Sequence, residues 1–594
     1  MSVRAPLTLA IALALCSPAF AHAAKITDVR IEGLDLAMTE NVQLALSAMD
    51  SLNKDVSDRR FDYLIKQVEP ETREALEPFG YYSPVVQLEQ QQTATGTVLV
   101  IRVDKGEPTR VRQSRVVIQG EGAEDYYLDQ ELEAFFPQVG DVFDQEIYEQ
   151  SKSRITRRLA ERGYFDADFL TRRVEVTRAL RAADIDLSWE SGNRYDMGAT
   201  TITQEPGTII RPELLEKLIY WQEGDYYHQG RLDRLRDSLS KLDYFSGIEI
   251  EPHPEQAVDY RVPVTVKLTP AKRSVYTAGL SYGTFSGPGV RGSVEKRYLN
   301  DRGHKALADL DWARRRKTLT LQYRIPAFRW RDGWYTFSLQ GFDEQTDYIN
   351  NRRLTFVASR SGNITQNLSA ILAMNGIRER WYFTAEDDGN PDTPIPFHYA
   401  NAFYPSFSVH YTRSDDPIFP RDAFGANAEL RGGVADDGDN RTTFAQVSGS
   451  ARYYRGVGVN DRLITRGEFG YSRTSIEFLP PALRFYAGGD RSIRGYGWRE
   501  VGPRIGTGDD KYPIGATKML TGSVEYEHYF NKSWGMAAFV DSGSAWDDRP
   551  EWQTGVGVGL RWRSPVGPLR VDIARGLNHP DSPFQLYLNI GSDL

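Results

Sequence analysis

Gly555-Val556-Gly557-Val558-Gly559-Leu560-Arg561-Trp562 alternates without a break. Two valines, a leucine and a tryptophan fall on one side, and three glycines and an arginine on the other. A period of two is the period of a strand, because successive side chains leave a sheet on opposite faces. Bulky apolar residues on one face and small or charged residues on the other suit a strand with lipid outside and a polar bore inside. The habit recurs. Leu319, Leu321, Tyr323 and Ile325 alternate with Thr320, Gln322 and Arg324. Phe337 and Leu339 alternate with Ser338 and Gln340, and Leu368, Ala370, Leu372 and Met374 repeat the pattern. Phe584, Leu586, Leu588 and Ile590 close the series. From Ser274 onward such segments number roughly sixteen, an even count as expected of a closed membrane sheet of this kind. Eleven precede a glycine-rich stretch at 487–498 and five follow it. Only a closed sheet satisfies every backbone group in lipid.

The chain has 594 residues and a net charge of −9, which argues against nucleic acid as a partner. Nine of the 11 tryptophans lie beyond residue 300, as interfacial girdles would require. Residues 1–23 read as a secretory signal. Arg4 precedes the apolar run Leu7–Leu15, and Ala21-His22-Ala23 offers the small-x-small cleavage pattern. Cys16 belongs to that leader, so the mature chain contains no cysteine, disulfide or thiolate metal site. No later apolar run is long enough for a spanning helix. Asn531-Lys532-Ser533 and Ser564-Pro565-Val566-Gly567 are candidate periplasmic turns; the stretches at about 378–403 and 474–517 are candidate surface loops.

The first third repeats itself. Gly80-Tyr81-Tyr82, Gly163-Tyr164-Phe165 and Asp243-Tyr244-Phe245 recur at near-equal spacing, each after an amphipathic helix. Leu232, Leu235, Leu239 and Leu242 form the apolar stripe of the third helix; Ile147, Ile155 and Leu159 form that of the second. Gly140-Asp141-Val142-Phe143 and Gly224-Asp225-Tyr226-Tyr227 stand before these helices. Strand signals follow each aromatic pair, as in Val262-Pro263-Val264-Thr265-Val266. Each unit is expected to hold a strand, two helices and two strands. Small sheets of this kind leave an edge on which an extended chain pairs through its backbone.

Within the glycine-rich stretch lies Ile493-Arg494-Gly495-Tyr496. Glycines let the loop fold back tightly, and the arginine brings a fixed fork of donors that stays charged. Further on, Phe539 and Asp541 share one face of a strand that continues to Gly543. With Asp541 facing the bore, Arg494 is expected to pair with it and hold the surface loop inside. Gly555, Gly557 and Gly559 would leave room for that loop.

The two motifs together resemble the signature of the BamA-like superfamily, in which polypeptide-transport-associated (POTRA) domains precede an outer-membrane barrel. The run from Gly557 to Arg570 resembles the late-barrel signature of the same superfamily. Three repeats plus about sixteen strands are similar to the TamA family, the outer-membrane subunits of translocation and assembly modules. The resemblance implies a signal peptide at 1–23, POTRA domains at 24–105, 106–190 and 191–271, and a barrel at 272–594. It implies an α+β periplasmic part followed by an all-β barrel in the bacterial outer membrane. It implies a protein assembly or translocation factor acting on unfolded outer-membrane or autotransporter clients, with a TamB-like inner-membrane partner and a weak seam between first and last strands. Lipopolysaccharide and the phospholipid bilayer are its expected surroundings, and Arg314-Arg315-Arg316-Lys317 a charged surface hairpin. The chain departs from the family in ending Gly591-Ser592-Asp593-Leu594 rather than on an aromatic. Alternatives are a two-partner secretion exporter, phospholipid transport between membranes, and a passive porin.

No enzyme, cofactor or metal is expected. Gly279-Leu280-Ser281-Tyr282-Gly283 matches a nucleophile elbow, but it lies in an alternating strand with no helix after it. Gly287-Pro288-Gly289-Val290-Arg291-Gly292 likewise lacks the helix of a dinucleotide site. The acidic runs Glu386-Asp387-Asp388 and Asp436-Asp437-Gly438-Asp439 lack calcium-ligand spacing.

Overall fold

The computed structural model describes residues 24–93, 95–283, 286–328, 331–346, 348–386, 394–474, 476, 479–506, 511–564, 567–578 and 583–590. The expected leader at 1–23, Asp387, Asp388 and the chain end 591–594 lie outside them. Two compact units divide the chain: Met1–Ala199 with Gln222–Gly230 and Pro252–Val264, and Thr200–Trp221 with Arg231–Glu251 and Thr265–Leu594.

The first repeat holds β1 (Ala24–Glu32), α1 (Leu36–Ala45), α2 (Ser47–Asp50), β2 (Asp55–Val56), α3 (Asp58–Glu74), β3 (Val85–Thr93) and β4 (Gly96–Asp104). The second holds β5 (Arg110–Gln119), α4 (Tyr126–Glu133), α5 (Gln145–Glu161), β6 (Asp168–Thr177) and β7 (Ala182–Glu190). The third holds β8 (Asp196–Gln204), α6 (Pro212–Leu215), α7 (Gln229–Leu242), β9 (Phe245–Pro252) and β10 (Arg261–Pro270). In each, the last strand lies inside the sheet: orders are β2-β1-β4-β3, β5-β7-β6 and β8-β10-β9. The first repeat therefore exceeds the expected strand–two-helix–two-strand plan by a helix and a short strand.

Helix starts are fixed by carboxylates. Asp144 accepts from the amides of Glu146 and Ile147, and Asp125 from that of Tyr127. The stripe on α7 is buried as read from sequence. On α5, Ile147 is exposed and Tyr148 takes the buried place with Ser151, Ile155 and Leu159. The reason is phase: 148, 155 and 159 stay on one helical face, whereas 147 drifts off it. The loops before α5 and α7 behave alike. Gly140 donates to Val111 O and Gly224 to Met197 O, while Val111 and Met197 donate back to the carbonyls of Asp141 and Asp225.

Each glycine–aromatic motif marks a junction. Gly80 and Gly163 have φ of 86° and 92°, a region open to glycine. Thr109 donates to Gly80 O, and Tyr195 to Gly163 O, across the boundary to the following repeat. Tyr164 is buried in its own core, but Tyr82 packs against the second repeat's core and Phe165 stacks edge-on against Tyr195 and Tyr227. In the other unit, the corresponding Tyr244 is buried and donates to Gly303 O, and Asp243 pairs with Arg297 at 2.7 Å.

Burial pushes the phenols of Tyr148 and Tyr164 up to about 12, with neighbouring Glu149 and Asp125 adding to the effect. Both groups are neutral when folded and titrate higher than when unfolded. Their contribution is complete below the ordinary tyrosine range near pH 10 and is lost as pH rises toward about 12. Alkaline titration of the second repeat, followed by tyrosinate absorbance and circular dichroism together, should show ionisation coinciding with unfolding. Ionisation near pH 10 with structure intact contradicts the packing.

The remaining strands form one antiparallel sheet of sixteen, in sequence order. They are β11 (Ser274–Gly283), β12 (Gly287–Lys296), β13 (Lys305–Ala313), β14 (Arg316–Pro326), β15 (Arg331–Gln345), β16 (Ile349–Asn363), β17 (Leu368–Phe383), β18 (His398–Ser414), β19 (Ala423–Asp436), β20 (Arg441–Val457) and β21 (Asp461–Arg473). Two short strands, β22 (Arg504–Ile505) and β23 (Tyr512–Pro513), belong to the long loop. The sheet resumes with β24 (Lys518–Tyr529), β25 (Trp534–Trp546), β26 (Gln553–Ser564), β27 (Gly567–Gly576) and β28 (Gln585–Ile590). Ser286 beside β12 and Gln585–Asn589 of β28 line one cavity with loop residues, so the sheet curls until both its ends flank the same loop. Among the described residues β11 pairs with β12 alone and β28 with β27 alone.

Alternating exposure follows the sequence. Leu319, Leu321, Tyr323, Phe337, Leu339, Val558, Leu560, Leu586 and Leu588 all point outward. The loop expected at about 378–403 is shorter, because β17 runs to Phe383 and β18 starts at His398. Arg378 and Arg380 hid these strand ends, since they put charge where the pattern calls for apolar side chains. Ser281 sits on β11, paired to Gly289 of β12, so the elbow-like motif is plain strand.

Candidate functional site: a charge cluster in the bore

The described residues of the long loop between β21 and β24 enter the cylinder and are held at two places. Its first part packs Leu479 and Leu483 on Ile377, Ala402, Tyr404, Ala435 and Phe444 of β17–β20. These inward residues are apolar, unlike the polar interior expected, because the loop rather than water covers them. Gln446 donates to Leu483 O, and Ala482 N–H donates to Glu379. The second part carries the motif. Ile493 is buried with Ala487, Tyr496, Val501, Ala516 and Ala545.

Arg494 and Asp541 meet. Nε donates to Oδ2 at 2.7 Å and Nη2 to Oδ1 at 3.0 Å, and the Arg494 amide also donates to Oδ2 at 3.0 Å. The guanidinium stacks 3.3 Å from the centroid of Phe539. Phe539 in turn lies over Gly557, its cross-strand neighbour, where any side chain would strike the ring. A methyl group on Gly543 would come 2.7 Å from Thr521 Cα, so glycine there lets β24 and β25 close. At Gly555 a methyl group would overlap the carbonyl oxygen of Arg494. The structure thus brings Arg494, Asp541 and Phe539 into direct contact, while Ile493 packs in the apolar cluster beside them and Gly543 lies against Thr521 of the neighbouring strand.

Sequence reasoning missed most members of the charge cluster. Arg494 Nη1 also donates to Glu525 at 2.7 Å and Asp572 at 3.0 Å. Arg561 spans three acids: Nε to Glu527 at 2.7 Å, Nη2 to Glu525 at 2.6 Å and Nη1 to Asp572 at 2.5 Å. Arg462 pairs with Glu527, and Arg466 with Asp541 at 3.3 Å while also donating to the loop carbonyls of Asp490 and Ser492. Four arginines therefore meet four carboxylates, nearly all fully buried. Buried charges survive only when paired and hydrogen-bonded, and this set is. The available signal was the alternation itself: Ser523, Glu525 and Glu527 occupy the inward side of β24, and Arg561 lies in the stretch that gives the strand period.

The motif's other end grips the last strands. Gly495, at φ 97°, donates to Tyr587 Oη at 3.0 Å, and Tyr587 donates to Tyr496 O at 2.7 Å. Tyr496 donates to Thr554 O and lies over Gly576 of β27.

Comparison with known proteins agrees with this architecture. A model of the Omp85 superfamily domain matches residues 299–594. A model of TamA POTRA domain 1 matches 28–105, and a POTRA model described as a surface antigen variable number repeat matches 111–189. The outer membrane protein assembly factor BamA of Nitratidesulfovibrio vulgaris is 25% identical over 430 residues, 69% of this chain and 52% of that protein. The chain thus spans about half the length of that relative. BamA of Neorickettsia risticii is 23% identical over 534 residues, covering 84% of this chain and 68% of that one. The crystal structure of Haemophilus ducreyi BamA lacking POTRA domains 1–3 is similar in fold, with TM-score 0.59 and 17% identity over 81% of this chain and 99% of that one. This chain belongs to the Omp85 superfamily, a protein of the outer membrane whose POTRA repeats lie in the periplasm before a sixteen-stranded barrel.

Proposed function

We propose that the chain is an outer-membrane protein assembly and translocation factor of the TamA type. It receives unfolded clients, including autotransporter-type barrels, on the sheet edges of its POTRA repeats, and works with a TamB-like inner-membrane partner. Client strands pair at the seam between β11 and β28. One observation carries this reading: each of those strands has a single hydrogen-bonded neighbour among the described residues, while the loop that fills the bore is tied to β28 through Tyr587. An unpaired strand edge is a template for another strand. A bore filled by its own loop disfavours a passive porin.

The test uses cysteine pairs scanned between 274–280 and 585–589, in a chain whose only natural cysteine is in the leader. Pairs that oxidise should abolish surface display of an autotransporter, and reduction should restore it. Normal display from a fully oxidised barrel overturns the seam. Copurification with a TamB-like protein, lost on deleting residues 24–105, is the expected result for the partner; its absence removes that part alone.

A further inference from the structure

On the outer wall of the barrel, neighbouring strands place one row of side chains in register. Trp312 faces Lys317, Lys317 faces Asp343, Asp343 faces Arg352, Arg352 faces Arg380, and Arg380 faces Tyr399. The row below runs Leu310, Leu319, Gly341, Leu354 and Arg378. Both rows border an open groove of about 830 Å³, at whose floor Gly341 supplies no side chain. Four cations share these rows with a single acid, Asp343, which Arg352 already holds at 2.9 Å. Arg352 and Arg380 stand directly opposite each other, a like-charge pairing that destabilises a sheet unless an anion lies between. Arg378 sits a row lower, at the level of leucines, with no ion pair among the described residues. A lipid-facing arginine is costly there without a counter-charge.

Strand direction sets the side of the membrane. β17 rises from the periplasmic turn at 364–367 and runs outward to Phe383, so Arg378 and Arg380 lie at its outer end. Trp312 and Tyr399 flank the cations as an interfacial girdle does. We infer that this groove binds a phosphorylated glycolipid of the outer leaflet. Its phosphates lie between Lys317, Arg352, Arg380 and Arg378, and its acyl chains lie against Leu310, Leu319 and Leu354. Arginine forks suit phosphate oxygens. The inference rests on the outer-membrane location and is independent of any role in client assembly.

The test uses the purified full chain in detergent, with bis-phosphorylated lipid A, its dephosphorylated form and phosphatidylglycerol as separate probes, read by native mass spectrometry. Lipid A should bind the wild type. Binding should fall at least about tenfold in the double variant Arg378→Gln/Arg380→Gln, since each charge-assisted contact supplies about that factor. Arg413→Gln, at the periplasmic end of β18, should bind normally, and the dephosphorylated probe should not bind. If the double variant does not fold, Lys317→Gln and Arg380→Gln tested singly should each weaken binding. Unchanged binding in the folded variants, equal loss in Arg413→Gln, or phosphatidylglycerol competing as well as lipid A overturns the assignment.

Discussion

Replacing Arg494 by alanine should release the loop from the bore. The change removes contacts to Asp541, Glu525 and Asp572 at once and leaves three buried carboxylates short of a partner. Breaking a buried ion pair from one side costs roughly 3–5 kcal/mol, which is a hundredfold or more in the population of the released loop. Limited trypsin digestion of intact cells should then cut the loop at Arg491 or Arg499, which the wild type protects. Arg494→Lys should give partial protection, because one ammonium keeps the charge but cannot reproduce the bidentate fork on Asp541. Full protection in Arg494→Ala would mean that the apolar anchors around Leu479 and Ile493 hold the loop alone.

Gly555→Val should also free the loop, at a smaller cost and by a different route. Every charge stays, but the new side chain occupies the place of the Arg494 carbonyl oxygen. The obstructing atoms are backbone, the carbonyl of Arg494 and behind it the Arg575 oxygen, so no side-chain rotation relieves the clash. The loop must lift. Overpacking of this kind typically costs about 1–3 kcal/mol. The barrel should still fold and show heat-modifiable mobility, while the loop becomes trypsin-sensitive. A protected loop in this variant contradicts the seating of Arg494 against β26. Comparing the two variants separates the electrostatic from the steric part of the lock.

Much of this was legible from residue order. The strand period of 555–562 survives into β26, and the same habit places eleven strands before the loop and five after it. Arg494 was readable because a glycine-rich loop with an embedded arginine is unusual, and Asp541 because Phe539, Asp541 and Gly543 at that spacing complete the paired signature that the loop motif begins. Arg561, Glu525 and Asp572 were not singled out, because an inward charge on a barrel strand is ordinary until its neighbours are known. Ile147 misled because an isoleucine in a helix suggests a core, whereas one residue of phase gave that place to Tyr148. Arg378 and Arg380 misled in the opposite sense: charge on the lipid face looked like loop.

The cluster of four arginines and four carboxylates has an electrical consequence. With the loop seated, the lumen's fixed charge sums to zero over these eight groups. Withdrawal of Arg494 leaves Arg462, Arg466 and Arg561 against Glu525, Glu527, Asp541 and Asp572, a deficit of one positive charge lining a vacant conduit. Current through such a conduit should favour potassium over chloride, so reversal potential across a salt gradient becomes a gauge of loop position in a single molecule.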